Sequence, residues 1–510
     1  MVEPLASHML ELLKRAALHE AQRALLATEG AFTYRDLLVA SAQVAACLLD
    51  DAADLREQRV AFLVPSGFHY VAVQWGIWRA GGVVVPLCVT HPRAEMEYVL
   101  DDAEASVLIA SSEFETIARL LANSRACRLL LTTEIFAAPD VATSAPLPEI
   151  HGARRAMILY TSGTTSKPKG VVTTHDNIAA QVTALITAWE WTSADHILHV
   201  LPLHHVHGSI NVLMCALWAG ATCEMLPKFE AEQVWQRFAQ GGLTLFMAVP
   251  TIYVKLIAAW EAAPVALQSV WSQAAAQMRL MVSGSAALPV RVLEQWRVIT
   301  GHILLERYGM TEIGMALSNP LHGERRASHV GAPLPNVEVR RVDEHGNVVC
   351  GETPGEIQVR GPNVFLEYWR KPEATAAAFR GEWFCTGDIA VVENGSYRIL
   401  GRASVDIIKT GGYKVSALEM EEVLREHPSI AECAVVGVAD AEWGERVCAA
   451  IVLREASELS LTDLREWGKS RLAIYKLPTR LLALAELPRN AMGKVIKPEI
   501  VELFARERSS

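Results

Sequence analysis

The densest run of chemistry-bearing residues is Tyr160-Thr-Ser-Gly-Thr-Thr-Ser-Lys-Pro-Lys-Gly170. Thr161, Ser162, Thr164, Thr165 and Ser166 supply hydroxyls, Gly163 and Gly170 bare backbone, and Lys167 and Lys169 positive charge. That mixture suits a polyphosphate: small residues let backbone N–H groups approach phosphate oxygens, hydroxyls donate further bonds, and lysine neutralises charge. The order is not the G-x-x-x-x-G-K-[ST] of a P-loop. Short runs of similar character follow at Ser283–Pro289, Tyr308–Glu312, Thr386–Asp388, Gly401–Arg402, Lys409–Lys414 and Pro488–Lys494. Ser416 and Glu419 have the spacing of a capping box that starts a helix. His204-His205-Val206-His207 invites a metal reading. Adjacent imidazoles rarely converge on one ion, and no Cys or acid cluster accompanies them in the sequence, so no metal is expected there.

The elements that must position these residues are legible in outline. Helical spacing covers Arg35–Leu49 and Tyr70–Arg79, and short apolar strands are predicted at Arg59–Val64 and Gly82–Leu87. Further strands are predicted at Met157–Tyr160, Ile197–Leu201, Leu245–Val249 and Leu280–Val282, an alternation that argues for parallel α/β layers. Ala137–Pro148 reads as a surface loop. From Gly331 the texture becomes strand-like with turns, as in Val337–Val342, Glu356–Val359 and Tyr397–Leu400. The boundary is placed at Gly401–Ser404, dividing the chain into residues 1–402 and 403–510. The second unit is expected to be compact α/β, with a strand at Val405–Ile408, helices near Ala417–Glu426 and Leu461–Lys469, and strands near Ala434–Val438 and Ala449–Leu453.

Composition narrows the class. With 51% apolar and 20% charged residues, the 510-residue chain has too much apolar content to be disordered over most of its length. The net charge of −10 argues against a general nucleic-acid coat. No apolar stretch reaches the ~18 residues of a membrane span, the best, Thr244–Val254, being too short and holding Pro250. Nine scattered cysteines without a C-x-x-C pair make a poor disulfide framework and suit a reducing compartment. Glu3, His8 and Glu11 precede the first basic pair, which fits neither a secretory signal nor a transit peptide, so a cytoplasmic location is expected.

Six of these motifs, in order over more than 300 residues, resemble those of the adenylate-forming superfamily of acyl-CoA synthetases, luciferases and adenylation domains. The resemblance implies a large layered α/β N-terminal domain with a β-rich subdomain, and a small mobile α/β C-terminal domain. It implies that Thr161, Ser162, Gly163, Thr164, Thr165 and Lys169 hold phosphates, with Ser166 standing where the family usually has glycine. Gly284, Ser285 and Ala286 then form the adenine-side turn. Tyr308 and Gly309 pack on adenine, Thr311 touches the α-phosphate, and Glu312, with Thr164, holds Mg²⁺. Asp388 bonds the ribose with Arg402 beside it, Ser404 is the hinge with Asp406 close by, and Lys494 completes the adenylation site. Gly411, Gly412, Tyr413 and Lys414 would line the pantetheine arm of CoA, and His205 would face the acyl–pantetheine channel.

The blocks Pro202–Gly208, Leu226–Phe229, Val249–Lys255 and Glu306–Glu312 closely resemble malonyl-CoA synthetases, and longer runs look most like the mitochondrial type of animals. By that resemblance Arg307 and Lys255, with His207, hold the distal carboxylate of malonate. A second carboxylate is costly to bury unpaired, and a guanidinium offers a two-pronged partner. Lys255 replaces an arginine of many bacterial relatives, which loosens discrimination towards methylmalonate. The expected reaction uses ATP, Mg²⁺ and CoA. The alternatives are a ligase for another short or medium-chain acid, or an adenylation enzyme loading a carrier protein, although no carrier domain follows Lys494 in the sequence. Pro488–Lys494 also resembles the pattern silenced in such enzymes by a lysine acetyltransferase, whose target would be Lys494.

Overall fold

The computed structural model describes residues 10–137, 147–161, 168–440, 443–455, 457–489 and 495–506. Two large sheets build the N-terminal domain. The first has nine strands, with a parallel centre running Leu305–Met310, Leu280–Ser283, Leu245–Ala248, His196–His199, Thr222–Met225 and Arg23–Ala27, and antiparallel strands at both edges. The second has seven, centred on Arg155–Thr161, Val83–Pro86, Arg59–Leu63, Val107–Ala110 and Arg128–Leu131. The predicted strands are therefore present, each displaced by a residue or two.

The helix Phe68–Arg79 buries every residue from Tyr70 to Trp78. Such a helix, apolar all round, must be enclosed on all sides, and it shares one continuous core with strands of both sheets. It packs on Tyr34–Leu49, where a Cβ on Gly76 would stand 2.4 Å from Val44 Cβ, so the two backbones approach closely. Tyr34–Leu49 starts at a complete capping box between Thr33 and Asp36.

The β-rich texture after Gly331 is an antiparallel five-stranded sheet built from Glu338–Val342, Gly355–Arg360, Trp383–Glu393, Phe379–Arg380 and Ser396–Arg402. The C-terminal domain is a second five-stranded sheet from Ile407 to Ala483, with a separate apolar core on each face. Among the described residues no helix is long and apolar enough to cross a membrane.

Four details depart from the sequence reading. The strand expected from Val405 begins at Ile407, because residues 403–406 form a turn. The Ser416 hydroxyl accepts the Glu419 N–H, but the Glu419 carboxylate reaches Lys476 at 2.6 Å instead of closing the box. Most of the loop expected at Ala137–Pro148 lies outside the described residues, and Ala137 itself closes the helix Thr132–Ala137. His207–Met214 forms a π-helix, in which the Cys215 N–H reaches back five residues to the Ile210 carbonyl. Such wide turns are rare and concentrate at functional sites.

Between the domains, Asp406 accepts the Arg402 N–H at 3.0 Å and meets Lys497 Nζ at 2.5 Å. Lys497 also meets Glu421 at 2.8 Å. Burial disfavours the Lys497 charge, yet the two carboxylates hold its pKa above the ordinary value. Replacing Lys497 by Met would leave two largely buried carboxylates without their shared cation, a loss of about 3–5 kcal/mol. The expected readout is lost hydrogen-exchange protection in the strand Gly444–Leu453, with the N-terminal sheets unchanged.

Candidate active site

The strand Leu305–Met310 carries two buried ionisable residues side by side. Successive strand residues face opposite ways, so Glu306 and Arg307 serve different surroundings. Arg307 is 4% exposed, and burial alone brings its pKa down to about 9. Its Nη2 donates to Ser285 Oγ at 3.4 Å, and its Nε finds no partner among the described residues. No carboxylate pairs with it there. Gly284 makes room for it: a Cβ at that position would stand 2.4–2.5 Å from guanidinium atoms. Ser285, at φ +70°, turns its hydroxyl to Arg307 and, at 3.3 Å, to His207 Nδ1.

His207 heads the π-helix. Burial, reinforced by the Arg307 charge, pushes its pKa well below the ordinary value, so the ring is neutral. Its Nε2 is buried without a partner among the described residues. The block before it is fixed by His199, whose Nδ1 accepts the Leu201 N–H at 3.3 Å. The ring proton therefore sits on Nε2, which donates to the Gly208 carbonyl at 2.9 Å. Half-buried His205 packs on His204, with ring centroids 4.1 Å apart. Lys255 is exposed on the helix Pro250–Ala262 and joins none of the hydrogen bonds of the Arg307 group.

A second group lies along the same strand. Tyr308 donates its hydroxyl to Asp388 at 2.6 Å, and Arg402 Nε donates to the other Asp388 oxygen at 3.0 Å. Burial first, then the Asp388 charge, raises the Tyr308 phenol, keeping it a donor. Gly309 has no room for a side chain, since a Cβ would stand 1.9 Å from the Gly314 carbonyl oxygen. Thr311 is half-buried, and Ala286 is exposed beside Ser285.

Glu312 is raised by burial and held by the Tyr368 hydroxyl at 2.9 Å. Lys169 Nζ lies over the Tyr368 ring at 4.8 Å, and Lys169 pairs across the hairpin with Thr161. The base of that hairpin is tied by Tyr98, which donates to the Pro168 carbonyl at 2.7 Å. Ser162, Gly163, Thr164, Thr165 and Lys494 lie outside the described residues. Tyr368 and Tyr98 were missed in the sequence, because no motif marks a lone tyrosine that reaches the site from a distant segment.

On the C-terminal domain Gly411 and Gly412 take φ +55° and +82°, and a Cβ on Gly411 would meet the Trp443 ring at 2.9–3.0 Å. Tyr413 is exposed and stacks on Tyr475 with centroids 4.2 Å apart. Lys414 pairs with Glu344 of the N-terminal domain at 2.5 Å. Ser404 is exposed in the turn that Asp406 closes on Arg402.

A layered α/β body that gathers ionisable side chains along one strand of its nine-stranded sheet has the form of an enzyme. Models of known families agree: the "AMP-binding enzyme" model matches residues 12–369, and the "AMP-binding enzyme C-terminal domain" model matches residues 419–494. The chain belongs to the AMP-binding enzyme family. It is 48% identical to malonate–CoA ligase ACSF3, mitochondrial, of Bos taurus, over 96% of this chain and 89% of that one. It is 44% identical to malonate–CoA ligase of Arabidopsis thaliana, over 88% of this chain and 78% of that one. Among solved structures, ATP-bound MatB from Rhodopseudomonas palustris superposes with a TM-score of 0.88 at 32% identity, covering 97% of this chain and 98% of that one.

Glu306 supplies a pH test of the site strand. Burial lifts its carboxyl from 4.5 to about 8. Between those values the folded chain holds a proton that the unfolded chain has lost, so stability falls as pH rises through that window. At about 1.4 kcal/mol per pH unit the fall amounts to a few kcal/mol. Glu306→Gln, neutral throughout, should flatten that slope in urea unfolding of the whole chain across the same window.

Proposed function

We propose that this chain joins malonate to CoA through an acyl-adenylate, using ATP and releasing AMP and pyrophosphate. The observation that carries the reading is Arg307, a buried guanidinium with no anionic partner among the described residues. A free carboxylate of a diacid supplies the missing charge and the second prong. Neutral His207 and the Ser285 hydroxyl are placed to complete its hydrogen bonds. The high identity to malonate–CoA ligases supports the same choice of acid. A lysine at 255 keeps the charge but not the fork of a guanidinium, and the reading therefore includes methylmalonate beside malonate.

In the first half-reaction the reacting carboxylate of malonate attacks the α-phosphorus and pyrophosphate leaves. The residues' task is positioning and charge stabilisation. Tyr308, Gly309, Gly284 and Ala286 would bound the adenine, Asp388 and Arg402 the ribose, and Thr311 the α-phosphate. Thr161 and Lys169 would serve the phosphates, together with Ser162, Gly163, Thr164, Thr165 and Lys494. Glu312, a half-buried carboxylate on a tyrosine hydroxyl, has the hard oxygen donors that Mg²⁺ takes, and Thr164 would add a hydroxyl. When bound, the ion neutralises charge on the pyrophosphate side.

In the second half-reaction the CoA thiol attacks the acyl carbonyl and AMP departs. Gly411, Gly412, Tyr413 and Lys414 would pass the pantetheine arm towards His205. The reading divides the chain at 402/403, with Ser404 as hinge. Acetylation of Lys494 by a lysine acetyltransferase, which would remove its charge, belongs to the same reading, as does a cytoplasmic location, supported by nine cysteines that are all free thiols.

The test is pyrophosphate release with ATP, Mg²⁺ and CoA across malonate, methylmalonate, succinate, acetate and octanoate. Malonate should be preferred, and preference for acetate or octanoate would overturn the diacid assignment. Arg307→Met should lower kcat/KM for malonate by roughly 30- to 1,000-fold, the about 2–4 kcal/mol of a buried charge pair, with ATP affinity little changed. Equal losses of malonate and ATP binding would remove Arg307 from the acid pocket.

A further inference from the structure

Outside the Arg307 group, a different set of side chains converges where the strand Val83–Pro86 ends. One ligand-capable atom from each of Cys88, His91 and His204 lies within 4.8 Å of the other two. Cys88 is buried, and the two imidazoles are half-buried, so the group has a soft inner donor and an open outer side. Cys88 and His91 belong to one turn, closed by the His91 N–H on the Cys88 carbonyl at 3.2 Å. His204 arrives from a remote segment, its ring edge-on to His91 with centroids 5.6 Å apart. Thr90 Oγ1 lies 3.2 Å from Cys88 Sγ, and Glu95 Oε2 lies 3.1 Å from His91 Nδ1.

The sequence gives no reason to expect a metal shared by His204, His205 and His207, and in the structure His207 turns to Ser285. It is wrong that no cysteine accompanies them: folding brings Cys88 to His204 across more than a hundred residues.

We propose that Cys88, His91 and His204 form a binding site for a zinc-class divalent cation, with a fourth position open to water. A thiolate with two neutral imidazoles is a donor set that selects such ions over Mg²⁺ or Ca²⁺. Tetrahedral coordination, with Zn–S about 2.3 Å and Zn–N about 2.0 Å, needs donor atoms roughly 3.3–3.6 Å apart. Contraction from 4.8 Å falls within the reach of half-exposed histidine side chains. Glu95 is the carboxylate that a ligating imidazole commonly engages. An ion there is also coupled to the channel side, because His204 packs on His205.

The experiment is a Co²⁺ titration of the whole chain, without nucleotide, followed by absorption. One Co²⁺ should bind per chain, with a thiolate-to-cobalt charge-transfer band in the near ultraviolet and strong tetrahedral bands in the visible. Cys88→Ser should abolish the charge-transfer band. His91→Gln, a change at a partly exposed position, should keep the fold and weaken binding at least tenfold. The proposal is overturned if the parent shows no charge-transfer band, if the band survives in Cys88→Ser, or if His91→Gln binds as tightly as the parent.

Discussion

A guanidinium taken out of water must recover its lost hydration from charge or dipoles. Arg307 recovers little from the protein around it, with one long hydrogen bond to Ser285 and no carboxylate among the described residues. The neighbouring acid, Glu306, lies on the other face of the strand and is neutralised by its own burial. The surrounding elements preserve this state. Gly284 yields the volume of a side chain, Ser285 accepts left-handed geometry to present its hydroxyl, and His207 stays neutral beside the cation. The fold thus maintains a buried positive charge with no carboxylate partner among the described residues, a state that favours an incoming anion.

The nucleotide side is held by a relay of polar contacts that runs to the domain boundary. Tyr308 on the site strand binds Asp388 on the β-rich sheet, and Asp388 binds Arg402 at the end of that sheet's last strand. The Arg402 amide binds Asp406 in the turn, and Asp406 binds Lys497 on the final helix. A group that engages Asp388 therefore acts on residues contiguous with the turn joining the two domains.

Much of this was legible in the residues. The apolar strands of the two large sheets, the helix Phe68–Arg79 and the alternating segments after Gly331 announce themselves through burial pattern, because parallel strands and enclosed helices leave long apolar runs. Arg307, Tyr308, Glu312 and Asp388 stand in short motifs and could be singled out. What could not be read arises from long-range geometry. Tyr368 meets Glu312, and Cys88 meets His204, only because the seven-stranded and the nine-stranded sheet bring them together. The π-helix at His207 leaves no periodic mark over so few residues, and Glu419 chose a distant lysine over its cap. Lys255, named with Arg307 from its motif, is exposed and outside the hydrogen-bonded group, since a helix position alone does not say where a long side chain rests.

The closeness of Gly284 to the guanidinium bears on what can stand at either position. Positions 284 and 307 compete for one volume, so neither is free to vary alone. A methyl group gained at 284 obliges the end of the Arg307 side chain to shift, while a shorter residue at 307 leaves a void behind the bare backbone. The two positions together set the room that the buried charge occupies.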